Sequence, residues 1–143
     1  MKWIAVMVII FILLVIAVAS FVSGKSASIR RFVNSNSVEL TQYAQNMIKT
    51  GSNGECETYG DYEVTYWADT GMVEFVLRKH GMGSASVYEG FYYSPDDMPH
   101  GFQGNQVDFT ASDSGWTWEE SDGDNWEYTE KILEHWYWFE FHF

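Results

Sequence analysis

The stretch YYSPDDMPH, residues 92–100, places Asp96, Asp97 and His100 in one loop bracketed by Pro95 and Pro99. Two carboxylates and an imidazole are suitable donors for a divalent cation, and a proline-stiffened loop would hold them in place. A small metal-dependent hydrolase would find its ligands here. The same residues also make an ordinary turn, with Pro fixing φ and Asp bonding the nearby backbone.

A second candidate is aromatic. Trp116 and Trp118 are two residues apart, as are Trp136 and Trp138, so each pair shares one face of a strand. Exposed, those indoles would form a flat stacking surface for a sugar or a peptide. Buried, they would supply the area that a small sheet needs for its core, which is the simpler reading.

The segment EESDGDNWE, residues 119–127, gathers Glu119, Glu120, Asp122, Asp124 and Glu127. Trp126 stands where a calcium loop of the EF-hand type needs an oxygen donor, which leaves a solvated acidic hairpin loop as the reading. No Gly-x-Ser-x-Gly elbow and no His-Glu-x-x-His occurs, and His80, His100, His135 and His142 are scattered. The Gly-rich GMGSAS, residues 81–86, lacks the Lys and the helix start of a phosphate cradle, and reads as an inter-strand loop. Cys56 is the single cysteine, so no internal disulfide forms, and a partly buried thiol is expected. No catalytic residue and no cofactor follows from these motifs.

The elements that must position these residues are mostly strands. In DYEVTYWADTGMVEFVLRK the period is two on either side of Asp69-Thr70-Gly71, which predicts a hairpin. SASVYEGFYY, NQVDFTA and GWTWEE read as further strands. In HWYWFEFHF, Tyr137, Phe139, Phe141 and Phe143 point one way while Trp136, Trp138, Glu140 and His142 point the other, the pattern of a strand packed inside a sheet. EYTEKILEH before it fits a helical turn or that strand's own start. Ahead of the strands, SVELTQYAQNMIKTG carries an apolar stripe at helical spacing, with Ser35 or Asn36 as its cap and Gly51 as its stop. The fold class expected is therefore α+β: one amphipathic helix packed on an antiparallel β-meander of about five or six strands.

Residues 3–22, WIAVMVIIFILLVIAVASFV, carry no charge and are long enough to cross a bilayer. The organisation expected is a transmembrane anchor or uncleaved signal over residues 1–23, a polar tether over 24–36, and a single domain over 37–143. Contact with the membrane runs through residues 3–22, and the domain is extracytoplasmic on a single-pass anchor, or secreted if a leader is cleaved near Ala19. The 143 residues carry 8 Lys and Arg against 20 Asp and Glu, a net charge of −12, so nucleic acid is excluded as a partner by like-charge repulsion. The 7 Trp, 9 Tyr and 10 Phe exclude a disordered chain.

VYEGFYYSPDDMP, VTYWADTGMVEF and DNWEYTEKILEHWYWFE together resemble a group of small uncharacterised proteins of clostridia-like Gram-positive bacteria with a GFYYSPDD-type stretch and a hydrophobic N-terminal segment. The resemblance spans residues 59–143. It implies an anchored or secreted small domain and carries no catalytic or binding residue onto this chain. The function expected is a non-enzymatic binding or interaction module at the cell surface, with a protein or polysaccharide partner. Its alternatives are wall-polymer binding through the Trp pairs and hydrolysis at the Asp96, Asp97 and His100 loop.

Overall fold

The computed structural model describes the backbone of residues 2–77 and 86–143, and the side chains of residues 26–77 and 86–143. One helix, α1 (Lys2–Thr50), precedes β1 (Cys56–Tyr59), β2 (Tyr62–Trp67), β3 (Met72–Leu77) and β4 (Val87–Tyr93). A long crossing segment, residues 94–109, holds a single 3-10 turn (Phe102–Gly104) and leads to β5 (Thr110–Ala111), β6 (Trp116–Glu119), β7 (Trp126–Leu133) and β8 (Trp136–His142). The strands form one eight-stranded sheet in the order β1-β2-β3-β4-β8-β7-β6-β5, antiparallel at every pairing. Two four-stranded meanders thus join through their last strands. The connection from β4 to β5 must therefore travel from the centre of the sheet to its far edge.

Both faces of the sheet are covered. On the first, Ile29, Val33, Leu40, Ala44 and Met47 of α1 pack on Val64, Phe75, Phe91, Trp136 and Trp138. Phe75 and Phe91 stack at 4.6 Å, and the Trp136 indole donates to Thr41 Oγ1 at 3.1 Å, which gives its N–H a partner inside the core. Arg30 adds an ion pair to Glu130 at 2.7 Å and lies 5.7 Å from the Trp138 ring centre. On the second face, Phe102 of the crossing segment packs with Met72, Tyr92, Tyr137, Phe139 and Phe141. A helix thus seals one side and a loop the other.

Several expectations are corrected. The separate transmembrane helix over residues 1–23 and the tether over 24–36 give way to a single helical run that ends at Thr50, because residues 25–49 contain neither Gly nor Pro. Among the described residues no helix is long and apolar enough to cross a membrane, so the membrane and single-pass reading is set aside. That reading rested on residues 3–22, and the side chains of residues 1–25 lie outside the described set. Asn36 does not cap a new helix. It is a kink with φ −121° and ψ 15°, and its side-chain amide donates to the Phe32 carbonyl at 2.8 Å. Ile29 and Val33, expected in the tether, belong to the core.

The sheet has eight strands in place of five or six, so the fold is mostly β rather than a balanced α+β. EYTEKIL proves to be strand, β7, and CETY adds the edge strand β1. Cys56 sits on that edge and is exposed, not partly buried. Tyr59 and Tyr43 fasten this edge to the helix by donating to Glu39 and Glu57, each at 2.8 Å. His80 and residues 81–85 of the Gly-rich stretch lie outside the described residues.

Candidate functional site

The crossing segment is pinned at its start and in its middle. At its start Asp97 adopts a left-handed conformation, φ 57°, a region that Asp tolerates better than most residues. Its side chain accepts from the His135 backbone N–H at 2.7 Å and from Lys131 Nζ, while Tyr137 Oη donates to its carbonyl at 2.6 Å. The Lys131 hydrogen bond, with help from the His135 amide, holds the Asp97 carboxyl below its usual range. Asp96 faces away and meets His100 Nε2 at 2.9 Å and Ser94 Oγ at 2.6 Å. Burial pushes the Asp96 carboxyl up, but the Ser94 and His100 hydrogen bonds outweigh it and the net shift is downward.

The loop singled out for metal chemistry is therefore divided. Asp96 and His100 meet, whereas Asp97 is committed to the β7–β8 turn. Among the described residues no group of three or more His, Cys, Asp or Glu side chains converges as a metal ion requires. Asp97→Ala should cost about 2 kcal/mol, from a lost charged hydrogen-bond set and from strain on Ala at positive φ. Asp97→Asn should recover part of that loss in urea denaturation, because it tolerates this φ and still accepts from His135.

Further along, His100 N–H donates to Tyr92 Oη at 3.1 Å. Thr129 Oγ1 uses its proton on the Trp138 carbonyl at 3.0 Å, so at the 2.9 Å Tyr92–Thr129 contact Tyr92 is the donor. Gly104, at φ 69°, lets the segment lie directly on Trp67: a Cβ there would stand 2.7 Å from Trp67 Cβ.

Two buried carboxylates hold the middle. Glu127 Oε2 accepts the Phe102 N–H at 3.0 Å, and Glu74 Oε1 accepts the next amide, Gln103, at 2.8 Å. The Trp67 indole donates to Glu74 Oε2 at 3.1 Å. Glu127 Oε1 is buried and has no hydrogen-bond partner among the described residues. Burial pushes Glu74 up to about 7, although the Gln103 and Trp67 donors favour its charged form. It pushes Glu127 up to about 8, opposed by the Phe102 amide and reinforced by the charge of Glu74.

Between this segment and the second face lies a pocket of about 380 Å³, within the range of small-molecule sites. Trp118, Phe141, Phe102 and Phe143 supply aromatic surface, Gln103, Asn105, Gln106 and Asn125 supply amides, and Glu127 supplies the carboxylate. The register explains the convergence: Trp118 pairs with Glu127, and Glu127 with Phe141, so the three stand in one row across β6, β7 and β8. A second, polar hollow of about 580 Å³ lies beyond residues 105–107 and is lined by Asp69, Asp96, His100 and Asp108 among others.

Of the four indoles weighed as either a stacking surface or core, Trp118 lines the pocket. Trp116 is half-buried beside Tyr137 at 6.0 Å, and Trp136 and Trp138 lie in the helix-side core. Sequence reasoning missed Glu74 altogether and placed Glu127 in a solvated acidic loop. The missed signal was in β8, which is aromatic on both faces. A sheet covered on both sides buries its alternating polar residues as well. No family model matches the chain, nor does any curated protein or any solved structure.

Proposed function

We propose that this chain is a non-enzymatic binding module that takes a small organic ligand in the pocket between the crossing segment and β6, β7 and β8. One observation carries the reading: an aromatic-walled hollow of about 380 Å³ is lined by Glu127, whose Oε1 is buried and has no hydrogen-bond partner among the described residues. Burying such an acceptor unsatisfied costs roughly 1–3 kcal/mol, a cost that a ligand donating to it would relieve. Glu74, the other buried carboxylate that holds the crossing segment, does not line this pocket, so the two do not flank a cleft as an acid–base couple must. Trp118 with the surrounding amide side chains supports a second reading, a sugar stacked on the indole.

Ligand-observed NMR of the full chain against a set of simple sugars, alcohols and amines tests the binding reading. Several members should bind, and Trp118→Ala should weaken them at least about tenfold, the loss expected of a central aromatic contact. Trp126→Ala is the control, because Trp126 is exposed and stacks on His142 outside this pocket. A set that binds nothing, or binds the Trp118 variant equally well, would overturn the proposal.

A further inference from the structure

We infer that the pocket is an ammonium site, in which a primary organic cation donates to Glu127 Oε1 and lays its apolar body against Trp118, Phe141 and Phe143. The inference rests on the pocket being a ligand seat and names the chemistry of its occupant. Glu127 lines the pocket at 1% exposure, its Oε2 is already engaged by the Phe102 amide, and its Oε1 has no partner among the described residues, so Oε1 is the acceptor left for a ligand. Aromatic walls favour a cation through the negative faces of their rings. Trp118 and Phe141 lie nearly parallel, 15° apart with centres at 6.5 Å, and Phe143 meets Phe141 edge-on at 4.9 Å.

The surrounding field has the same preference. Among the described residues no Lys or Arg lines the pocket. Asn125 at its rim belongs to the β6–β7 connection, which also carries Glu120, Asp122 and Asp124, and the chain as a whole is at −12. An anion would be repelled, and a neutral hydroxyl would gain one hydrogen bond. A primary ammonium gains that bond in its stronger, charge-assisted form, together with the ring faces and the field. Where Glu127 carries a proton before binding, that proton leaves to solvent as the cation arrives. The site then holds a neutral ion pair.

Benzylamine and its neutral counterpart benzyl alcohol, titrated calorimetrically into the full chain at low salt, separate these contributions. Benzylamine should bind at least tenfold more tightly, and Glu127→Gln, which keeps an acceptor for the Phe102 amide, should abolish the preference while benzyl alcohol binds as before. Equal binding of the two probes by the unaltered protein, or a preference that survives Glu127→Gln, overturns the ammonium assignment and leaves the pocket as a neutral-ligand seat. Failure of both probes to bind overturns the ligand seat itself.

If Glu127→Gln does not fold, titration of the unaltered protein in two buffers of different ionisation heat serves instead. Benzylamine should release a proton near pH 7, and absence of release counts against the assignment. Nα-acetyl-lysine amide as a third probe identifies the source of the cation. Tighter binding than benzylamine supports a polypeptide lysine as the natural occupant, and weaker binding supports a free arylalkyl amine.

Discussion

Raising the pH from 5 to 8 should destabilise this protein, by up to about 1.4 kcal/mol per pH unit for each of Glu74 and Glu127 while that group is protonated only in the folded state. Burial is the cause, since it pushes the two carboxyls up to about 7 and about 8. A carboxyl whose folded value lies above its unfolded one binds its proton more tightly in the native state. Its contribution is fully present below the unfolded value and is lost as pH rises through the folded one. Asp96 and Asp97 act in the opposite sense, because their lowered values give stability that disappears as pH falls below the ordinary carboxylate range. The two effects together place the stability maximum near the acid end of the neutral range, at about pH 5. Urea midpoints at pH 5, 6, 7 and 8 would show it, and Glu74→Gln should flatten the decline by removing one titrating group. A profile that is level or rises towards pH 8 in the unaltered protein would contradict the burial of both carboxyls. Ionised, each carboxylate accepts its amide more strongly, so the loss of stability comes from burying two like charges and not from the hold on Phe102 and Gln103.

Much of the sheet could be read from period-two alternation, as in Tyr62, Val64 and Tyr66 of β2 and in the two-sided aromatic run of β8. What escaped was whatever depends on a second layer. Residues 25–49 looked like a tether followed by a helix because Ser and Asn are frequent there. Yet Ile29 and Val33 have a sheet to pack on, and tertiary burial overrides weak local propensity. CETY has too little apolar character to announce a strand, and becomes one because β2 offers an unpaired edge. The Asp96, Asp97 and His100 loop was legible as a turn, but its division was not. Whether Asp97 turns towards Lys131 depends on β7 and β8 arriving from 34 residues further along the chain. Glu74 and Glu127 were invisible as site residues for a related reason: alternation assigns a polar residue to solvent, and only the crossing segment converts that face into interior.

Gly90→Ala should be among the most damaging single changes the sheet can undergo, costing about 3 kcal/mol or more. Gly90 lies within β4, opposite Val76 of β3 and Phe139 of β8. A Cβ at this position would stand 2.0 Å from the Phe75 carbonyl oxygen and 3.0 Å from a Phe139 ring carbon. The ring can turn aside, but a backbone oxygen inside a ladder cannot, so β3 and β4 must separate. Gly60 provides the contrast. It sits in the β1–β2 turn at φ 58° with nothing within 4 Å, and Ala there should cost only the strain of a left-handed residue, about 1 kcal/mol. Chemical denaturation of the two variants checks the ordering, and comparable losses would mean that the β3–β4 approach is looser than the register implies. The consequence extends to the site. β3 carries Glu74 and β4 carries Tyr92, which anchor Gln103 and His100 of the crossing segment. If the strands part without unfolding, the pocket should open and benzylamine affinity should fall, even though Gly90 itself does not line it.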